Sequence, residues 1–213
     1  MVPVGVLTSG LEVRLGYLDR TLTSIARSDL PKNESLEVFD DRIFGNVGVG
    51  TASAISVCKL FDGHPKSTGV ILLQDDLEMS PDWYSRMTSY IGGSKHQGFR
   101  QGIISGFSVL RKKDTLPKKT SVVRWTSGPC RLIRREFFEH NRRYFDRRDL
   151  PRSNEDGQIC KVARRTRFEI LLLWPFVCKH FGEFSAVRPG RNSVAIYGED
   201  GQKVVRDIQD GKS

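Results

Sequence analysis

Apolar residues come in short blocks separated by polar stretches of helical spacing, the alternation of a protein that interleaves strands and helices. Val4-Gly5-Val6-Leu7-Thr8 predicts a first strand, with Ser9-Gly10 turning after it. Tyr17, Leu18, Leu22 and Ile25 recur at helical spacing and predict a helix over residues 17–27, ended by Asp29-Leu30-Pro31. Leu36-Glu37-Val38-Phe39-Asp40-Asp41 predicts a second strand that finishes in acids. A glycine-rich run, Gly45-Asn46-Val47-Gly48-Val49-Gly50, then leads into a helix over 51–61. That run follows no apolar strand of its own unit and has no acid at the required distance beyond it, so it is a loop and not a dinucleotide fingerprint.

Val70-Ile71-Leu72-Leu73 is the strongest block: four large apolar residues in a row predict a strand buried on both faces. It runs straight into Gln74-Asp75-Asp76, and Ser80-Pro81 predicts the start of a helix over 81–91. Gly92-Gly93-Ser94 breaks the chain. Further strands are predicted over 102–110, 121–125, 130–134 and 170–173, with helices over 135–140 and 158–165. The β-helix-β opening is the first half of a nucleotide-binding α/β sheet.

Asp75 and Asp76 therefore sit at the carboxyl end of a central strand, where open α/β sheets bind ligands. Turn-forming acids also end strands without any chemistry. Adjacent residues there point to opposite sides, so one carboxylate is expected to reach a metal and the other a different ligand group. A hard divalent cation held by one or two carboxylates plus substrate phosphates is the chemistry such a pair suggests.

The wording of the stretch goes further. LLQDDLEMSPDWY (residues 72–84) resembles the DxD-type metal motif of GT-A glycosyltransferases, most closely the form in the N-acetylglucosaminyltransferase I family. The resemblance implies Asp76 as the Mn²⁺ or Mg²⁺ ligand and Asp75 as a contact to the donor ribose or sugar, converging on the same ion. Gln74 stands where the family has the first acid of its triplet, which removes one donor contact. In these enzymes an Arg after the first strand lies near the nucleotide, and an Asp at the end of the second reads the uracil N3–H. Arg14 and Asp41 are the matching positions, with Asp40 a close second; Thr8 and Asn46 complete the implied donor contacts. Ser153-Asn154-Glu155-Asp156-Gly157 resembles the family's xED motif, whose Asp is the general base of an inverting transfer. Asp156 matches that base and Glu155 is second, although acids before a helix are also ordinary caps. His180-Phe181-Gly182-Glu183-Phe184-Ser185 resembles the closing H-x-G-x-x-S phrase and implies His180 as a further metal ligand through a neutral imidazole. The turn at Thr126-Ser127-Gly128-Pro129 and the Arg134-Arg135-Glu136-Phe137-Phe138 helix start resemble the acceptor side. The implied fold is a GT-A, Rossmann-like mixed sheet flanked by helices: a single domain over 1–187, with a donor half to about 110 and an acceptor half beyond, and a tail over 188–213.

Composition adds a location for charge. With 213 residues, 38% hydrophobic and 28% charged, the chain has the make-up of an ordinary globular domain. Its longest apolar run, Ile170 to Cys178, is too short to span a bilayer and is broken by Pro175. No basic region followed by an apolar core opens the chain, and Cys58, Cys130, Cys160 and Cys178 are widely spaced, so a cytoplasmic protein with reduced thiols is expected. The net charge is +9. Residues 111–152 hold fourteen Lys and Arg against five acids, while the remainder holds twenty of each, so the whole excess lies in one segment. Such a cluster suggests a polyanionic partner. On the acceptor side of a glycosyltransferase it points to DNA, with a hydroxymethylated pyrimidine of bacteriophage type as the acceptor. Arg124, Arg134, Arg135, Arg142, Arg143, Arg147 and Arg148 are the expected contacts, with Trp125 and Phe137 as stacking or wedge residues. A bacterial surface glycan, a lipid or a protein are the rival acceptors. A metal-dependent nucleotidyltransferase and a non-catalytic nucleic-acid binding protein are the rival classes.

Overall fold

A computed structural model describes residues 2–9, 11–91, 100–108, 119–150, 155–181, 195–197 and 203–205. The Gly92-Gly93-Ser94 break, Val109-Leu110, the candidate caps Ser153 and Asn154, the Gly182–Ser185 phrase and most of the tail lie outside the described residues.

The chain lays down β1 (Val4–Thr8), α1 (Glu12–Ala26), β2 (Leu36–Asp40), α2 (Val49–Gly63) and β3 (Gly69–Gln74) in succession. β4 (Leu77–Met79) and α3 (Trp83–Thr88) follow, then β5 (Arg100–Ser105), β6 (Ser121–Val123) and β7 (Cys130–Arg134). The rest consists of α4 (Arg135–His140), α5 (Arg142–Phe145), α6 (Glu155–Arg165), β8 (Phe168–Leu172), β9 (Cys178–His180), β10 (Ala195–Tyr197) and β11 (Lys203–Val205). Seven strands form one sheet in the order β2-β1-β3-β7-β5-β8-β6. β1, β2, β3, β5 and β8 run parallel to one another, and β7 and β6 run against them. β4 and β9 form a separate two-stranded ribbon, as do β10 and β11.

Alternation along the strands divides the interior into two layers. In β3, Ile71 and Leu73 enter one core with Val4, Val6, Leu132 and the α3 residues Trp83 and Met87. Val70 and Leu72 enter the other with Phe61 of α2, Phe137 and Phe138 of α4, and Ile159 of α6. A strand that feeds both cores must be apolar at every position, which is why β3 reads as an unbroken block. Gly102 lets α4 close on β5: a Cβ there would lie 2.9 Å from Phe137 Cδ2 and 2.9 Å from Phe168 Cβ. Both neighbours are fully packed, so Gly102→Ala is expected to cost about 1–3 kcal/mol as overpacking. A urea midpoint that does not move would show that α4 rides loosely on the sheet.

Of the element boundaries that differ from the expected ones, three have a plain local reason. α1 begins at Glu12 and not at residue 17: its first turn buries Arg14, a charge that apolar spacing passes over. α3 begins at Trp83: residues 77–79 pair with β9, and the Asp29 carboxylate, not Ser80, accepts the Tyr84 and Ser85 N–H groups at 2.9 and 2.8 Å. α6 begins at Glu155, so Glu155 and Asp156 lie in its first turn. All four cysteines are buried thiols. Among the described residues no helix is long and apolar enough to cross a membrane.

Candidate active site

Asp75 and Asp76 occupy the turn between β3 and β4, 2% and 3% exposed. Thr8 ends β1 alongside and donates its hydroxyl to Asp75 Oδ2 at 2.6 Å. Arg14 reaches in from the first turn of α1. Its Nε lies 3.0 and 3.1 Å from the two Asp75 oxygens, and Nη2 donates to Asp75 Oδ1 and, at 2.7 Å, to Asp76 Oδ2. Thr21 pins the turn to the same helix, donating to the Asp75 carbonyl at 2.9 Å and accepting the Leu77 N–H at 3.0 Å. The two carboxylates thus converge on one guanidinium, where opposite directions were expected. Burial works against the charge on Arg14, but Asp75 and Asp76 outweigh it and raise its pKa.

His180 arrives from the far end of the chain on the β4–β9 ribbon, in register with Leu77. Its Nε2 lies 3.1 Å from Asp76 Oδ2. The next residue locks the approach: Phe181 N–H donates to the Asp76 carbonyl at 3.0 Å, and its ring packs edge-on to Tyr17 and 4.1 Å from the Arg20 guanidinium. Burial opposes ionisation of Asp76, yet His180 and Arg14 overcome it and hold its pKa at about 2. Asp76 Oδ1 is buried and has no hydrogen-bond partner.

The glycine-rich loop closes around Asp41, the first residue past β2. Asp41 N–H donates to the Thr8 carbonyl at 3.0 Å, tying the loop to the end of β1. Gly48 N–H donates to Asp41 Oδ2 at 3.3 Å, and Asn46 N–H to the Asp41 carbonyl at 2.9 Å. Gly45, Asn46 and Gly48 all have positive φ, 85°, 54° and 90°, a turn that glycine and asparagine allow. Asp41 Oδ1 is left buried without a partner. Asp40 turns away and pairs with Arg42 at 2.6 Å, which leaves Asp41 as the acid of this loop.

Asp156, in the first turn of α6, has its Oδ1 taken by Nη2 of Arg131, whose side chain is 4% exposed on β7. Nothing in the motif search singled out Arg131. Its signal is a charge flanked by Cys130 and Leu132 in the interior of a strand whose other arginine, Arg134, stands at the strand end.

No protein-family model and no curated protein matches the sequence. Solved structures do match. The A197 protein from STIV superposes with a TM-score of 0.58 at 15% identity, over 95% of this chain and 92% of that one. S. aureus TarS 1-349 in complex with UDP gives 0.57 at 17% identity, over 81% of this chain and 58% of that one. A glycosyltransferase involved in the glycosylation of the major capsid of PBCV-1 gives 0.53 at 10% identity, over 81% and 82%. The fold is GT-A.

Within the GT-A frame the donor set can be tested against a divalent ion. Among the described residues no cluster of three or more His, Cys, Asp or Glu is arranged to hold a metal. Asp75 was expected to contribute, but Thr8 and Arg14 engage both its oxygens. Asp76 Oδ1 remains, with the His180 imidazole beside it on Asp76 Oδ2. Two protein ligands fit a hard cation whose coordination is completed by water and substrate phosphates.

Residues 111–118 and 151–152 of the basic segment lie outside the described residues; the described part of it is dispersed in space. β7 runs antiparallel to β3, so Arg134 stands opposite Gly69, at the end of the sheet remote from Asp75 and Asp76. Arg134 donates to the Gln101 carbonyl at 3.4 Å, and Arg135 donates to the His64 carbonyl at 2.8 Å while stacking 4.7 Å from Phe61. Both brace the far end of the fold, away from Asp75 and Asp76, where acceptor contacts were expected of them. Phe137 is fully buried in the core and Trp125 packs half-buried against it, so neither stands out as a wedge. Arg142 pairs with Asp146 at 2.9 Å and Arg147 with Asp149 at 2.9 Å, and Arg148 donates to the Phe145 carbonyl at 3.3 Å. Arg124 and Arg143 are exposed and, among the described residues, have no carboxylate partner.

Proposed function

We propose that this chain is an inverting glycosyltransferase that takes a sugar from a UDP-sugar at the carboxyl edge of its sheet. The observation that carries the reading is Asp76 Oδ1: a buried carboxylate oxygen without a partner, beside His180, at the strand end where α/β sheets bind ligands. The UDP in TarS and the glycosyltransferase named for the PBCV-1 capsid support it by likeness of fold.

In this reading the loop around Asp41 takes the base, its Oδ1 accepting the uracil N3–H. Asp76 and His180 would hold Mn²⁺ or Mg²⁺, which when bound neutralises the leaving diphosphate as a Lewis acid. Asp75, gripped by Arg14 and Thr8, fixes the position of Asp76. Asp156 accepts the proton of the acceptor hydroxyl as its oxygen bonds to the anomeric carbon, and the bond from that carbon to UDP breaks. Glu155 is the second candidate for the base.

The acceptor proposed is a hydroxymethylated pyrimidine in duplex DNA, on the strength of the +9 confined to residues 111–152. Arg124, Arg143 and Arg148 are the side chains without a carboxylate partner among the described residues, and Arg142 and Arg147 would exchange exposed pairs for phosphates. The base would have to be extruded from the stack.

The test is a panel of UDP-sugars with Mn²⁺, or with EDTA, monitored for free UDP with and without hydroxymethylated duplex DNA. UDP is expected with Mn²⁺ and not with EDTA, and stimulation by DNA should fall steeply as salt rises. Pyrophosphate in place of UDP would indicate a nucleotidyltransferase, and full activity in EDTA would remove the metal. Salt-insensitive transfer to a neutral oligosaccharide, without DNA binding, would overturn the acceptor alone.

A further inference from the structure

We infer that Arg131 and Gly128 are positioning residues that present Asp156 to the acceptor, an inference that rests on Asp156 being the base.

Arg131 projects from β7 to the side opposite Cys130 and Leu132, which belong to the other core. There it meets α2 and α6, where Gly50, Ser53 and Ala54 leave room for a large side chain. The hollow that these residues and Arg131 line has a volume of about 10 Å³, space for one water at most. Arg131 is therefore locked in place, and its guanidinium fixes the carboxylate it binds. Asp156 is the more exposed partner: its side chain is 31% exposed against 4% for Arg131.

Gly128 makes the pairing sterically possible. A Cβ at this position would overlap Arg131 Nη2 and Cζ and Asp156 Oδ1. Its φ lies outside the left-handed region, so glycine is required here for space and not for backbone conformation. Residues 126–129 thus bring bare backbone up to the ion pair, and any side chain at Gly128 would have to push Arg131 and Asp156 out of their present positions.

The geometry divides the carboxylate into two halves. Oδ1 is held by the guanidinium, and among the described residues Oδ2 has no hydrogen-bond partner. A general base needs such an arrangement, one oxygen anchored and one open within reach of the proton. Anchoring α6 to β7 would be a purely structural role for the same pair, and it predicts a loss of stability without a loss of turnover.

The experiment compares Arg131→Met, Arg131→Lys, Gly128→Ala, Asp156→Asn and the Arg131→Met/Asp156→Asn double variant. Readouts are UDP release at saturating UDP-sugar, calorimetric titration with UDP, and the urea midpoint. Arg131→Met is expected to lower kcat by roughly 10–100-fold, as loss of a supporting partner does, with UDP affinity unchanged. Gly128→Ala should fall in the same range, and Arg131→Lys should recover part of the rate. Because Arg131 acts through Asp156, the double variant should be no slower than Asp156→Asn. Should Arg131→Met fail to fold, Gly128→Ala and Arg131→Lys carry the comparison. Wild-type kcat in Arg131→Met, or in both Gly128→Ala and Arg131→Lys, with Asp156→Asn slow, would overturn the positioning role alone. Wild-type turnover in Asp156→Asn would remove the base assignment and this inference with it.

Discussion

Arg14→Met is expected to destabilise the protein by about 3–5 kcal/mol, the usual consequence of removing one member of a buried charge network. Arg14 is 6% exposed and is gripped by two carboxylates that are themselves 2% and 3% exposed. Methionine keeps the apolar stem of the side chain but takes away the positive charge. Two carboxylates would then face each other across a dry turn, with Thr8 and His180 left to compensate. One of the pair must take up a proton or the turn must open, and opening frees the first turn of α1 from the end of β3. Arg14→Lys should recover only part of the loss, because an ammonium is a point donor and cannot span both carboxylates as the planar fork does. Urea unfolding at neutral pH, with the slope unchanged, measures the difference. A loss under about 1 kcal/mol, the scale of an exposed pair, would show that some other group neutralises the turn.

What was legible in the sequence follows from what a one-dimensional pattern can encode. β3 announces itself because feeding two cores demands apolar residues throughout, and the acids after it mark the ligand-binding edge. The first turn of α1 does not, since its inward position is filled by an arginine whose burial is satisfied by charge. Arg14 was expected beside a diphosphate, and the fold spends it on Asp75 and Asp76. His180 was found through a motif, yet its approach to Asp76 depends on a ribbon of two three-residue strands, too short to show any periodicity. The placement of Arg134 and Arg135 was hidden for a different reason. Apolar spacing predicts that residues 130–134 form a strand but not which way it runs in the sheet. Antiparallel β7 carries the chain roughly 13 Å along the sheet, taking Arg134 and Arg135 away from the edge where Cys130 starts. Arg131 shows the converse: a charge between apolar neighbours inside a buried strand is a signal, but only its partner on α6 gives that signal a meaning.

Asp76→Asn should separate the two things that Asp76 does. Turnover is expected to fall by more than the roughly 10–100-fold that outer partners of a metal ligand cost, because the amide cannot replace Oδ1 as an anionic ligand and Asp75 has no oxygen to spare. Stability should fall as well, in a way that depends on pH. The folded protein holds the Asp76 pKa at about 2 against an ordinary 3.8. The unfolded chain therefore binds the proton more readily, and ionised Asp76 contributes about 2 kcal/mol to folding. That increment is fully present above about pH 4, where an unfolded Asp is ionised, and it is lost as pH falls through about 2, where the folded carboxylate is protonated too. The gap in unfolding free energy between wild type and Asp76→Asn, measured in urea with EDTA present, should therefore be widest near neutrality and close as the pH approaches 2. Arg14 and His180 produce the depression, so Arg14→Lys should shrink the gap at every pH above 4. A gap of the same size from pH 7 down to pH 2 would mean that Asp76 stabilises the turn by shape and hydrogen bonding, and that its charge is not what the turn is built to hold.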